Sequence, residues 1–508
     1  MNAERYKKFV LLHSNDMHGD FLAEVQGAEG DLIGGLARLS GYVNVVRQQE
    51  ENVLYVVSGD MVQGSLIDSE YKGVSTMEIM NYLSPDAVTL GNHELDYGLS
   101  HLLFLEKMAN FPIVNANLYI KKYYKRLFRP YLTLNVDGFE ILFIGIITEA
   151  VLMSLREDSD VGTFVGLEDA VTEVGKICSA YKDEDIDLTI LLTHIGFESD
   201  KKLAAMLDPT WGVDLIIGGH SHTILEKPAK VNGILIVQAG VGTDQVGRFD
   251  LVVDDDTNSI VEWAWQLIPV DEELAEPDAE LRAFIDAFKE DVDAKYNTLI
   301  TRFARQLTHP QRTEETSLGN LFADLLAERA KTDVVFIGSG SIRVEALGPV
   351  VTLGDLAEAF PYDDTLQRFA ISGAQLKRVF AHIMRPENRG GEGECFQVNH
   401  GSQATYNEAR KELESLSLNG EPVADQAHYT IALQGFHFKN SWQSLGITHA
   451  ELMERAGSTL VTSSVRNVLE EHMRSRQNQT SRVEGRLVYK AADRRQKATE
   501  SLPMTGSP

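Results

Sequence analysis

A chain of 508 residues exceeds the ~250–300 at which one hydrophobic core usually divides, so two domains are expected. With 43% hydrophobic and 24% charged residues it has an ordinary globular composition, which excludes a disordered chain. Its 75 acidic and 47 basic residues give a net charge of −28, unfavourable for binding a nucleic-acid polymer or an anionic membrane.

The N-terminal half repeats one pattern: an apolar run, a polar or glycine-rich turn, then a helical stretch. The runs are "KFVLLHSND", "NVLYVVSGD", "DAVTLGNHE", "EILFIGIIT", "DLTILLTHIG" and "VDLIIGGHSH", with "NGILIVQAG" and "GRFDLVVDDD" after them. Continuous apolar strands alternating with helices predict an α/β fold, with a largely parallel sheet covered by helices on both faces. In "EPDAELRAFIDAFKEDVDAKYN", Asp278 can cap a helix that carries Leu281, Phe284, Ile285, Phe288, Val292 and Tyr296 on one stripe. It reads as a connector helix. From about Ile300, strands such as "TDVVFIGSG" and "HYTIALQGF" mix with amphipathic helices such as "SLGNLFADLLAERA". The expected limits are 1–272 for the first domain, 273–299 for the connector, 300–490 for the second domain and 491–508 for a disordered tail.

No apolar run approaches the ~20 residues of a membrane span. The N-terminus shows no signal-peptide cleavage pattern, and Cys178 and Cys395, far apart, are expected to be buried free thiols. A cytoplasmic location is therefore expected.

Five of the first-half runs end in residues that bind metals: Asp16 and His18, Asp60, Asn92, His194, and His220 with His222. Ligand sites in open α/β sheets lie beyond the carboxyl ends of the strands, so these side chains are expected to share one crevice. Residues two apart in an extended chain share a side, so Asp16–His18 and His220–His222 should each reach a single centre. A lone strand-end histidine is ordinarily a hydrogen-bonded core or surface residue. Seven N/O donors in this order, without a thiolate, instead suit two divalent ions of the Mn, Zn, Fe or Co type sharing a carboxylate.

The motifs D-x-H, G-D, G-N-H-E, H and G-H-x-H resemble the signature of the calcineurin-like metallophosphoesterases. From Val10 to about Tyr489 the chain resembles the two-domain 5′-nucleotidase and UDP-sugar hydrolase family. The resemblance implies a four-layer αββα N-terminal domain with mixed sheets, a connector helix and a C-terminal α/β substrate-binding domain. It implies one metal site of Asp16, His18, bridging Asp60 and His222, and a second of Asp60, Asn92, His194 and His220. His93 and Asp96 would form a catalytic dyad in which Asp96 orients the ring. Asn92, Arg312 and Arg343 would contact substrate, and Tyr362 and Phe436 would sandwich a base.

Three departures bear on specificity, one of them the loose match of "RPENRGGEGECFQVNHG" to the family's stretch ending in S-G. Gly338 in "GSGSIR" stands where the family has a substrate-contacting Asn, and Trp442 in "KNSWQS" lies near a ribose-binding Asp. The implied partner is a small-molecule nucleotide or related phosphoester. The implied reaction is removal of phosphate from nucleoside 5′-monophosphates by attack of a metal-bound hydroxide. Alternatives are a 2′,3′-cyclic nucleotide phosphodiesterase, a UDP-sugar hydrolase, or an inactive nucleotide-binding protein.

Overall fold

The computed structural model describes residues 5–26, 31–148, 165–167, 169–361, 363–389, 395–454 and 458–490. Tyr362 and the expected tail, 491–508, lie outside the described residues. The chain divides into two compact units, Met1–Val292 and Asp293–Pro508.

Twelve strands form the two main sheets of the first unit. They are β1 (Tyr6–Ser14), β2 (Val53–Ser58), β3 (Ala87–Thr89), β4 (Ile113–Val114), β5 (Tyr131–Val136), β6 (Phe139–Ile147), β7 (Leu188–His194), β8 (Leu215–Ile217), β9 (Ala229–Val231), β10 (Ile234–Val237), β11 (Gln245–Asp254) and β12 (Ser259–Pro269). The first sheet runs in the order β12-β11-β1-β2-β3-β4 and the second β9-β10-β8-β7-β6-β5. β1 to β4 pair in parallel, as do β10, β8, β7 and β6, while antiparallel strands complete the edges.

The single helix-covered sheet read from the pattern is thus two mixed sheets packed together, as the four-layer arrangement implied by the family resemblance requires. Phe9, Leu11 and Val56 of the first share a buried core with Ile141, Phe143, Ile190 and Val237 of the second. The alternate residues Leu142, Ile144 and Leu191 pack with Val174, Ile177 and Leu203 of flanking helices. Each central strand is buried on both faces, and its apolar run looks the same whether helix or sheet supplies the cover.

Three helices matter below: α1 (Leu36–Gln49), α2 (Phe197–Met206) and α3 (Ala279–Tyr296). Asp278 Oδ1 accepts the N–H groups of Glu280 and Leu281, both at 3.1 Å, at the start of α3. Leu281, Ile285 and Val292 of α3 are buried, and Phe284 and Phe288 pack against Tyr82 and Tyr71.

In the second unit a five-stranded sheet runs Phe396–Val398, Val334–Gly338, His428–Gln434, Leu366–Ser372, Thr459–Thr462. Val335 and Ile337 pack with the helix Ser317–Ala330 on one face, and Val334 and Phe336 with the helix Gly373–Ile383 on the other. Cys178 and Cys395 are buried and form no disulfide. No described helix is long and apolar enough to cross a membrane.

Candidate active site

The predicted ligands follow the carboxyl ends of strands from both sheets. Asp16 and His18 follow β1, Asp60 follows β2, and Asn92 follows β3; His194 ends β7, and His220 and His222 follow β8. Asp16, His18, Asp60, His220 and His222 have left-handed backbone, with φ of 50°, 51°, 52°, 79° and 50°. Non-glycine residues hold that conformation only where the surroundings over-determine it, as at functional sites. The extended-chain argument for the two D-x-H and H-x-H pairs is therefore corrected: turns, and not strand alternation, aim these side chains.

Three overlapping groups result, each with ligand atoms within 4.8 Å of one another: Asp16, His18 and His222; His18, Asp60 and His93; Asp60, His194 and His220. His220 and His222 thus turn to different groups, contrary to the expectation that they share a centre. His194 Nε2 lies 3.0 Å from Asp60 Oδ2 and 3.7 Å from Asp16 Oδ1. His222 Nε2 lies 3.4 Å from Asp16 Oδ1 and 3.1 Å from His18 Nε2. The His93 ring centroid is 5.2 Å from that of His18, and His93 Nδ1 is 2.6 Å from Asp96 Oδ2.

The residues present fit divalent ions. Asp16, Asp60 and His194 are buried, Asn92 Oδ1 is a buried atom that makes no hydrogen bond, and His194 Nε2 faces the carboxylates of Asp60 and Asp16. Two carboxylates converge with imidazoles there, which is costly without a cation to hold them. Burial opposes charge on His194, but its bond to Asp60 outweighs this and raises it to about 9. Metal binding at that nitrogen therefore displaces a proton. The Asp96 hydrogen bond raises His93 to about 9 in the metal-free chain.

In the second unit, two of the predicted substrate residues follow the carboxyl ends of neighbouring strands of the five-stranded sheet. Arg343 follows Val334–Gly338 and Phe436 follows His428–Gln434, which are parallel neighbours. Ser341 Oγ donates to Gln434 Oε1 at 3.2 Å, joining the two segments. Asp364, just before Leu366–Ser372, accepts the Phe436 N–H at 2.7 Å. Arg312 is exposed between His309, whose Nε2 lies 3.2 Å from Ser339 O, and Thr316, whose N–H donates to Gln397 Oε1 at 3.1 Å. Phe436 is 55% exposed and Trp442 66%. Gly338 ends its strand and offers only backbone.

The calcineurin-like phosphoesterase profile matches residues 9–223, and the 5′-nucleotidase C-terminal domain profile matches 294–443. The chain belongs to the two-domain 5′-nucleotidase family. It is 27% identical to the mouse 5′-nucleotidase, across 96% of this chain and 91% of that protein. It is equally identical, at 27%, to the trifunctional nucleotide phosphoesterase protein YfkN of Bacillus subtilis across 84% of this chain. It spans about a third of the length of the Bacillus relatives it matches. The structure of a 5′-nucleotidase precursor from Thermus thermophilus is similar with a TM-score of 0.63 and 25% identity, covering 95% of this chain and 99% of that one.

Beyond the expected 5′-nucleotidase ligands, the structure adds residues that hold them. Buried Glu94 accepts the N–H groups of Asp60, Met61 and Gly91 at 3.0, 2.7 and 2.5 Å. Asn15 donates to Asp16 Oδ2 at 2.7 Å, while its own oxygen accepts the Ala239 N–H at 2.8 Å. Gln238 donates to Gly219 O at 2.9 Å and accepts from the Thr223 N–H at 2.6 Å, gripping the turn that carries His220 and His222. A Cβ on Gly91 would lie 2.1 Å from Asp60 Oδ1, so only glycine fits there. Glu94 was in plain view inside G-N-H-E, but its acceptor role depends on backbone that only the fold brings near.

Proposed function

We propose that this chain removes phosphate from nucleoside 5′-monophosphates. The observation that carries the proposal is the His93–Asp96 pair, with His93 within reach of His18 and of Asp60, the residue that two ligand groups share. Divalent ions of the Mn, Zn, Fe or Co type, held by Asp16, His18, Asp60 and His222 and by Asp60, Asn92, His194 and His220, would supply Lewis acidity and charge neutralisation at the phosphoryl group.

The protein's own part is positional. Asp96, accepting from His93 Nδ1, fixes the ring so that Nε2 can donate to a phosphoryl or leaving oxygen. Asp60 Oδ1 accepts the backbone N–H of His93 at 2.8 Å, which holds this residue next to the shared ligand. Arg312, Arg343 and the exposed ring of Phe436 supply charge and a stacking face for a nucleotide. The relative named 5′-nucleotidase supports this substrate class.

A phosphodiester or pyrophosphate substrate is the second reading, favoured by Gly338 and Trp442 and by the relative named a trifunctional nucleotide phosphoesterase. An inactive nucleotide-binding role would leave the His93–Asp96 pair without purpose. The test is phosphate release with Mn²⁺ across nucleoside monophosphates, 2′,3′-cyclic nucleotides, nucleotide sugars and sugar phosphates. Preference for 5′-monophosphates is expected, and activity confined to another class would replace the assignment.

A further inference from the structure

The first unit holds a cavity of about 300 Å³ that shares no residue with the ligand groups. Phe21, Leu22 and Ile285 give it apolar walls, and Gly35 and Arg38, at the start of α1, give it a polar side. Nη1 of Arg38 is buried and makes no hydrogen bond, and no carboxylate among the described residues pairs with its guanidinium. The lining carboxylate Asp286 instead lies 3.9 Å from Arg282 Nε, on its own helix α3. A buried guanidinium nitrogen without an acceptor is costly, and such groups are ordinarily satisfied by a partner, water or ligand. At the start of α1 the Gly35 N–H is taken by Thr243 Oγ1 at 2.8 Å and the Leu36 N–H by Phe21 O at 3.1 Å, which leaves Nη1 of Arg38 as the donor in search of an acceptor. In a chain of net charge −28, this is a local cationic spot inside an apolar recess.

We infer that the cavity binds a small organic anion: a carboxylate or phosphate, received by Arg38, joined to an apolar body that fills the walls. This goes beyond the phosphohydrolase proposal and does not depend on it. The volume lies at the lower end of the range for small-molecule sites.

The experiment is calorimetric titration of the metal-loaded full chain with octanoate, and with octyl phosphate to compare the two head groups. Acetate serves as the control without an apolar body, and octanol as the control without charge. One of the two octyl anions should bind at one site per chain, with acetate and octanol at least about tenfold weaker. Arg38→Met should weaken the anion by about tenfold or more and leave octanol unchanged. Leu22→Glu, at an exposed position of the lining, should act in the same direction if Arg38→Met fails to fold. No binding of either anion, or equal binding by wild type and both variants, overturns the inference. That second result would place the anion on the metal centre.

Discussion

Glu94 accepts the backbone N–H of Asp60 at 3.0 Å, so the ligand shared by two groups is held by a buried carboxylate from the neighbouring motif. The same carboxylate takes the N–H groups of Gly91 and Met61, tying the turn after β2 to the turn after β3. Glu94→Ala leaves four backbone donors without this acceptor, Val62 N–H at 3.4 Å among them, and should cost about 2–4 kcal/mol in chemical denaturation. Glu94→Gln, which sets an amide NH₂ against two of those donors, should lose a smaller but measurable part. Unchanged stability in both variants would mean that the clasp is redundant.

His93→Ala should retain both metals while kcat falls ~10²–10⁴-fold, the usual weight of a positioned acid–base group. Elemental analysis beside steady-state kinetics checks this. Metal lost in proportion to activity would make His93 a ligand, a role its place within reach of His18 and Asp60 permits.

How much of this was legible follows from the chemistry of each residue. Asp16, His194 and His220 announced themselves because strand-end N and O donors have few other uses in such numbers. The second sheet came from the family resemblance and not from the apolar pattern, because Ile141 facing a sheet and Leu142 facing helices are equally apolar. Gln238 and Asn15 were missed because their partners are backbone groups brought close only by folding. His13 was read simply as part of an apolar strand.

That strand position has a consequence for pH. His13 is fully buried, stacks on Trp265 with ring centroids 5.4 Å apart, and has no hydrogen bond at either nitrogen. Burial lowers it from 6.5 to about 3. Between those values the unfolded chain binds a proton that the folded chain refuses, so this residue's contribution falls as pH drops below about 6.5. His13→Leu should flatten the loss of Tm between neutral and mildly acidic pH, and it also removes two unsatisfied polar atoms. An identical pH–Tm curve for wild type and variant would contradict the assignment.

Phe436 tests the substrate side. Base–aromatic stacking is worth ~1–3 kcal/mol, so Phe436→Ala should raise KM for AMP by about one to two decades. p-Nitrophenyl phosphate carries no base and should be nearly unaffected. Equal losses on both substrates, or none on either, would make the ring a packing element and favour another phosphoester.

The most direct measurement is metal content and phosphate release from AMP on the same samples of wild type and Asp60→Ala. Wild type should hold two metal equivalents and turn over AMP, whereas Asp60→Ala should hold well under two and release no phosphate. Two equivalents and a wild-type rate in Asp60→Ala, or no release from any nucleoside 5′-monophosphate by metal-loaded wild type, would contradict a nucleotidase built on a shared Asp60.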